Sequence, residues 1–149
     1  MDRKEREQFI FGMIFYLSNQ LQVIADKDGG ELTLKQWFLL IMITKIENKS
    51  PTINLIADFM GYTRQNAKKI LLLLEEKGFV QINKSINDSR AQNISLTEKS
   101  VEYFSNTKDF GNKLLDDLFH GLDNNKINSL FDSFQVLSEN INRMKHEKE

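Results

Sequence analysis

Arg64, Gln65, Asn66, Lys68 and Lys69 crowd the start of the segment TRQNAKKILLLLEEKG, residues 63–78. Their side chains are of the kind that reads base edges. Arg and Lys donate to guanine O6 and N7, and Gln or Asn pairs with adenine N6 and N7. At about 100° per residue on a helix, Ala67, Ile70, Leu71 and Leu74 cluster on one side. Gln65 and Lys69 then project nearly opposite, with Lys68 and Arg64 on one flank and Asn66 on the other. A polar, net-basic surface over two turns, aimed away from a core, suits insertion into a DNA major groove. A merely solvated helix face accounts for Lys68 and Lys69 equally well. The elements that would hold this helix must therefore decide.

Those elements form a helix-turn-helix pattern, which needs a small residue where its helices touch, a glycine at the turn and apolar residues to lock the second helix down. Ala57 and Gly61 meet the first two needs. Ile56, Met60, Tyr62, Ala67 and Ile70 fall where the apolar contacts belong. Thr52 is placed to cap a short helix running through Met60, and Gly61 to close it with positive φ. Thr63 caps the next helix, which Gly78 stops near Lys77. Upstream, Phe9, Met13, Leu17, Leu21 and Ile24 recur at helical spacing, ended by DKDGGE at 26–31. Thr33 and Gln36 then have the form of a capping box for an apolar helix, Trp37 to Ile46, which we expect to be central and buried.

After residue 79 the period changes. Val80 and Ile82 alternate with polar neighbours, as do Ile94 and Leu96, so a two-stranded hairpin is expected around the turn-prone SINDSRAQ. Thr97 opens a long helix carrying Val101, Phe104, Leu114, Leu115, Leu118 and Phe119, interrupted at Gly121. Asp123 caps a last helix with Ile127, Leu130, Phe131, Phe134, Leu137 and Ile141 on one stripe.

Composition narrows the function. The 149 residues are 40% hydrophobic and 28% charged, an ordinary globular mixture, with no cysteine, two histidines and one proline. The missing cysteines exclude a disulfide framework, a thiolate metal site and a thiol nucleophile or redox switch. Neither His120 nor His146 has neighbours to complete a metal-ligand set, so no metal and no cofactor is expected. There is no G-x-S-x-G, no phosphate-cradling glycine loop and no adjacent nucleophile, base and acid, so an enzyme is not expected. No apolar run approaches the ~20 residues of a spanning helix, and from the charged opening MDRKEREQF no secretory leader is expected. A cytoplasmic protein is expected. The formal charge of −1 hides an asymmetry. Residues 61–90 carry net +3 and residues 101–149 net −3, which places a mild basic patch where the polar helix lies.

In order along the chain, LTLKQWFLL at 32–40, LIADFMGYTRQNAKKILLLLEEKGFV at 55–80 and NDSRAQNISLTEKS at 87–100 resemble the second helix, the core motif and the wing of the multiple-antibiotic-resistance regulator (MarR) family. Three segments in the right order and separation make the resemblance specific, and it covers nearly the whole chain. It implies a mainly α fold: a winged helix-turn-helix lobe with a two-stranded wing, plus a helical dimerisation lobe from the N- and C-terminal helices. On that pattern 1–149 is one MarR-like domain, with 32–97 the winged lobe and 1–26 with 98–147 the dimerisation lobe. The resemblance further implies a homodimeric, sequence-specific regulator, a repressor sooner than an activator, that binds an inverted repeat in double-stranded DNA and answers to a small aromatic or phenolic effector. Major-groove contacts map to Thr63, Arg64, Gln65, Lys68 and Lys69. The wing arginine is Arg90, and Asp88 matches the wing aspartate that orients basic residues. Two positions depart from the family pattern: Ser100 replaces a frequent glycine, and Ser89 replaces one of a frequent arginine pair.

Two questions stay open at this level. Phe9, Phe11, Phe15, Tyr16, Trp37 and Phe38 would suit an effector pocket, yet ordinary core packing is the reading we expect for them. A winged helix can also serve protein contacts alone, with its basic face against an acidic partner. Salt-dependent binding to a defined palindrome separates that alternative from a DNA regulator.

Overall fold

The computed structural model describes residues 1–27, 30–84 and 92–147. Among these, the elements run α1 (Arg3–Asp26), α2 (Leu34–Lys45), α3 (Ile53–Met60), α4 (Arg64–Glu76), β1 (Val80–Lys84), β2 (Gln92–Leu96), α5 (Glu98–Leu118) and α6 (Asn124–His146). The chain divides into two compact units, Met1–Ser105 and Asn106–Glu149. No helix among the described residues is long and apolar enough to cross a membrane.

Each helix of the first unit starts where a side chain takes over an orphan backbone N–H. Thr33 Oγ1 accepts from Gln36 N at 3.3 Å while Gln36 Oε1 accepts from Thr33 N at 3.1 Å, so the expected capping box forms. Thr52 and Thr63 cap α3 and α4 in the same way, accepting from Leu55 N and Asn66 N. A second capping box, Asp2 with Glu5, opens α1. The D-x-x-E spacing was there to be read and is worth about 1 kcal/mol at an exposed helix start.

The core of this unit lies between α2, α3, α4 and the sheet. Leu39, Leu40, Ile56, Leu71, Leu74 and Phe79 are all fully buried. One face of α2 enters it through Gln36, Leu39, Leu40 and Ile43, but Phe38 is exposed and Trp37 half-buried. The helix is therefore one-sided within this chain, where an apolar circumference had suggested burial all round. β1 and β2 pair antiparallel in the register Val80↔Leu96 and Ile82↔Ile94, as the alternation requires. β2 also reaches back to the start of α3, with Ile94 N donating to Pro51 O at 2.9 Å and a bridge between Thr52 and Asn93. β2 is thereby tied to the helix-turn-helix.

The aromatic residues of α1 do not enter a core within the chain. Phe9, Phe11, Phe15 and Tyr16 are all exposed, and Phe11 and Phe15 meet edge to face at 5.2 Å. Ordinary core packing, expected for them, is not what a single chain provides. Apolar residues run round α1 rather than along one stripe, so no single neighbouring surface can cover them.

In the second unit, Asp123 Oδ1 accepts from Lys126 N at 2.9 Å and opens α6 at the expected position. Leu130, Phe131, Phe134, Leu137 and Ile141 line one stripe of that helix, all exposed.

Two glycines end helices of the first unit. After α3, Gly61 at φ 66° donates to Asp58 O and Tyr62 N to Ala57 O. After α4, Gly78 at φ 80° donates to Glu75 O and Phe79 N to Leu74 O. Both are Schellman closures, and the second sets buried Phe79 beside buried Leu74. Space is open around Gly61, so an alanine there would meet only the strain of its left-handed backbone. Gly61→Ala is expected to lower the unfolding free energy by about 1–2 kcal/mol in denaturant titration, with no change in slope.

Candidate nucleic-acid interface

α4 is the centre of the site. Its inner stripe, Ala67, Leu71 and Leu74, is fully buried and Ile70 half-buried, while Thr63, Arg64, Gln65, Asn66, Lys68 and Lys69 are exposed. The helical wheel drawn from sequence is thus the arrangement observed. Among the described residues, none forms an ion pair or a hydrogen bond with the side chains of Arg64, Gln65, Lys68 or Lys69. The nearest acid along the helix is engaged elsewhere, since Glu75 Oε1 accepts from Ile82 N of β1 at 2.8 Å. Glu76 remains on the outer face, where it lines an open furrow with Gln65, Lys68, Lys69, Leu72 and Leu73. A cationic and amide surface with its hydrogen-bonding capacity unspent is what a polyanion with readable edges would engage.

Thr63 has a second duty beside its place on that surface. As the cap of α4 it fixes the first turn, from which Arg64 and Gln65 project. Tyr62, between the turn glycine and this cap, packs against the core, and burial pushes its phenol pKa up. The group is a neutral hydroxyl beside the polar face.

The far end of α4 is held by a polar clamp that sequence reading missed. Lys77 Nζ donates to Glu31 O at 2.6 Å and to Gln36 Oε1 at 3.2 Å. Gln36, buried, thus closes its own capping box and holds the end of α4 with one oxygen. Lys99 Nζ pairs with the Glu31 carboxylate, donates to Lys77 O at 2.8 Å and lies 4.4 Å from the centre of the Phe79 ring. Ser100, fully buried, donates to Phe79 O, and Thr97 Oγ1 donates to Gly78 O at 2.7 Å. The hydroxyl at position 100 thus has a use that a glycine could not supply. Nothing local announces a contact between residues 31, 36, 77 and 99, although a lysine just before a helix-stopping glycine is a known helix-end preference.

Asp88 and Arg90, assigned to the wing, lie outside the described residues. Within the described strands, Asn83 Nδ2 donates to Ser95 Oγ at 3.3 Å. Among the described residues no group of three or more His, Asp and Glu side chains is placed to hold a metal ion.

An apolar-backed polar helix, presented by a glycine turn and followed by a two-stranded hairpin, is a winged helix-turn-helix, and solved structures of that kind match the chain over most of its length. A MarR protein from Peptoclostridium difficile aligns with a TM-score of 0.83 at 18% identity, covering 94% of this chain and 92% of that one. The chain has the MarR fold. Staphylococcus aureus MepR, solved as a complex with DNA, aligns with a TM-score of 0.78 at 19% identity over 91% of this chain and 97% of that one. Bordetella bronchiseptica BpsR, whose DNA binding is regulated by 6-hydroxynicotinic acid, aligns with a TM-score of 0.75 at 11% identity, covering 87% and 92%. No protein-family model matches the sequence. Within the MarR fold, α3 and α4 are the helix-turn-helix and β1–β2 the wing.

The clamp gives the site a measurable dependence. Lys77→Met keeps the stem and removes the donor, so Glu31 O loses its ammonium partner. The loss is expected to be about 1 kcal/mol in unfolding free energy, discounted for partial exposure, and a thermal melt beside the native protein measures it.

Proposed function

We propose that the chain is a MarR-family transcriptional regulator: a homodimer that binds an inverted-repeat operator in double-stranded DNA, as a repressor sooner than an activator, in the cytoplasm and without enzymatic activity or cofactor. The observation that carries this is the polar face of α4, exposed and unpaired among the described residues, on a buried apolar stripe between two closed glycine turns. Arg64, Gln65, Lys68 and Lys69 meet base edges and phosphates of the major groove, and Thr63 adds its hydroxyl at the helix start. Arg90 enters the minor groove, where readout is chiefly groove width and A·T content, and Asp88 orients the wing's basic side chains. MepR, of the same fold, was solved with DNA.

The exposed apolar surfaces support the dimer. Phe11 on α1 is 66% exposed and Phe131 on α6 61% exposed, each among several such neighbours. Apolar area of this extent marks an interface that a second copy would cover. On this reading residues 32–97 form the DNA-binding lobe, and residues 1–26 with 98–147 form the dimerisation lobe. A two-fold axis then sets two α4 helices about 34 Å apart, in successive major grooves. A small aromatic or phenolic effector would act by changing that separation. The indole N–H of Trp37 is buried and unpartnered among the described residues, a donor that such a ligand's oxygen would satisfy.

The test is operator affinity against salt, on duplexes that the purified protein selects from its own genome. Lys69→Ala and Gln65→Ala should each cost about 1–3 kcal/mol and relax preference at particular base pairs. Arg90→Ala should weaken binding with little change in preferred major-groove bases, and lower the salt slope by about one ion if it meets phosphate. Should Arg90→Ala alter base preference while the α4 variants leave affinity intact, the docking is wrong and the acidic-protein alternative moves ahead.

Removing everything after Leu122 deletes the Leu130, Phe131, Phe134 and Leu137 stripe. Gel filtration with light scattering should then show monomer or aggregate, and operator binding should be lost. A soluble truncated dimer with full affinity would place the dimer contacts elsewhere.

A further inference from the structure

The reading of α4 as a DNA-recognition helix leaves two of its residues unexplained. Leu72 is 48% and Leu73 40% exposed, on a helix whose inner stripe is already filled by Ala67, Leu71 and Leu74. Neither leucine serves the core. Both line the open furrow shared with Gln65, Lys68 and Lys69.

We propose that Leu72 and Leu73 extend the reading face of α4 and pack against thymine 5-methyl groups in the major groove, so that each operator half-site carries thymine beside the bases read by Gln65 and Lys69. The inference rests on the DNA-binding reading above. Positions 65, 69, 72 and 76 stand four, three and four apart, one stripe on a helix. At 1.5 Å rise per residue, Leu72 lies roughly 5 Å along the axis from Lys69 and roughly 10 Å from Gln65, a span of about three base-pair steps. Gln65 and the two lysines at one end are therefore continuous with an apolar floor at the other. In the major groove the thymine methyl is the apolar feature of the base edges, whereas cytosine and the purines present polar atoms there. Glu76 closes the stripe with a charge that phosphates repel, which bounds the reading face at the leucines.

The experiment uses the full chain and its selected operator. Each thymine of a half-site is replaced in turn by deoxyuridine, which keeps base pairing and removes the methyl group alone. Binding of the native protein should weaken about fourfold at one or more positions, the loss expected for one methylene-sized apolar group. With Leu72→Ala or Leu73→Ala, the same replacement should cause no further loss at the position that leucine contacts. The inference is overturned if every deoxyuridine duplex binds the native protein as well as thymine does. It is equally overturned if the leucine variants lose the same factor on both duplexes, or if they lose the dimer, which would put a second copy over the patch. Because the first comparison changes only the DNA, it stands whether or not a variant folds. Loss of affinity in Lys69→Ala with indifference to deoxyuridine sinks this inference and leaves the DNA reading intact. Selection of no duplex at all sinks both.

Discussion

A helix that presents polar side chains in a fixed direction must be fixed on its other side, and α4 is fixed by the burial of Ala67, Leu71 and Leu74. Each of those side chains is fully enclosed. Rotating α4 by one residue about its axis would bring a lysine or an asparagine into the core, at several kcal/mol for an unpaired charge. The direction of Gln65 and Lys69 is thus set by residues on the opposite, buried side of the helix. α3 contributes Ala57 to the same core, and its small side chain leaves room for the two helices to pack.

The ends of α4 are fixed by different means. At its start the restraint is local: Gly61 turns the chain, Thr63 caps, and both lie within four residues of the first polar side chain. At its far end the restraint is long-range. Glu31, Gln36, Lys77 and Lys99 converge from three places in the sequence. The exposed Lys99–Glu31 pair alone would contribute little, since exposed ion pairs are worth about 0–1 kcal/mol. Its value lies in geometry, because Lys99 also holds Lys77 O and lies over Phe79, so one ammonium spans a carboxylate, a helix end and an aromatic face.

That difference explains what could be read from the sequence. α3, the turn, α4 and the strand register were legible, because caps, glycine stops and period-2 alternation act over fewer than about six residues. The outward set of α4 was legible for the same reason. The clamp was not, since a lysine-to-carbonyl hydrogen bond across 46 residues and an ion pair across 68 have no signature in a single chain. Ser100 looked like a mere departure from a glycine pattern, and only burial against Phe79 O gives the hydroxyl its use. The aromatics of α1 misled in the opposite way. Helical spacing says that Phe9, Phe11 and Phe15 want cover, and cannot say whether one chain or two supply it.

The clamp also bears on how a signal would reach α4. Lys99 and Ser100 stand in the first turn of α5, and their partners are Glu31, Lys77 O and Phe79 O. The start of α5 and the end of α4 therefore cannot separate without breaking several hydrogen bonds together, one of them donated by a fully buried hydroxyl. A packed unit of this kind shifts as a body rather than bending. A ligand that displaced the start of α5 would carry the end of α4 with it. The cap at Thr63 and the closure at Gly61 would hold the polar turn in its shape during that movement. A switch acting through this unit must then alter where α4 is presented, because the face itself is fixed by the core behind it.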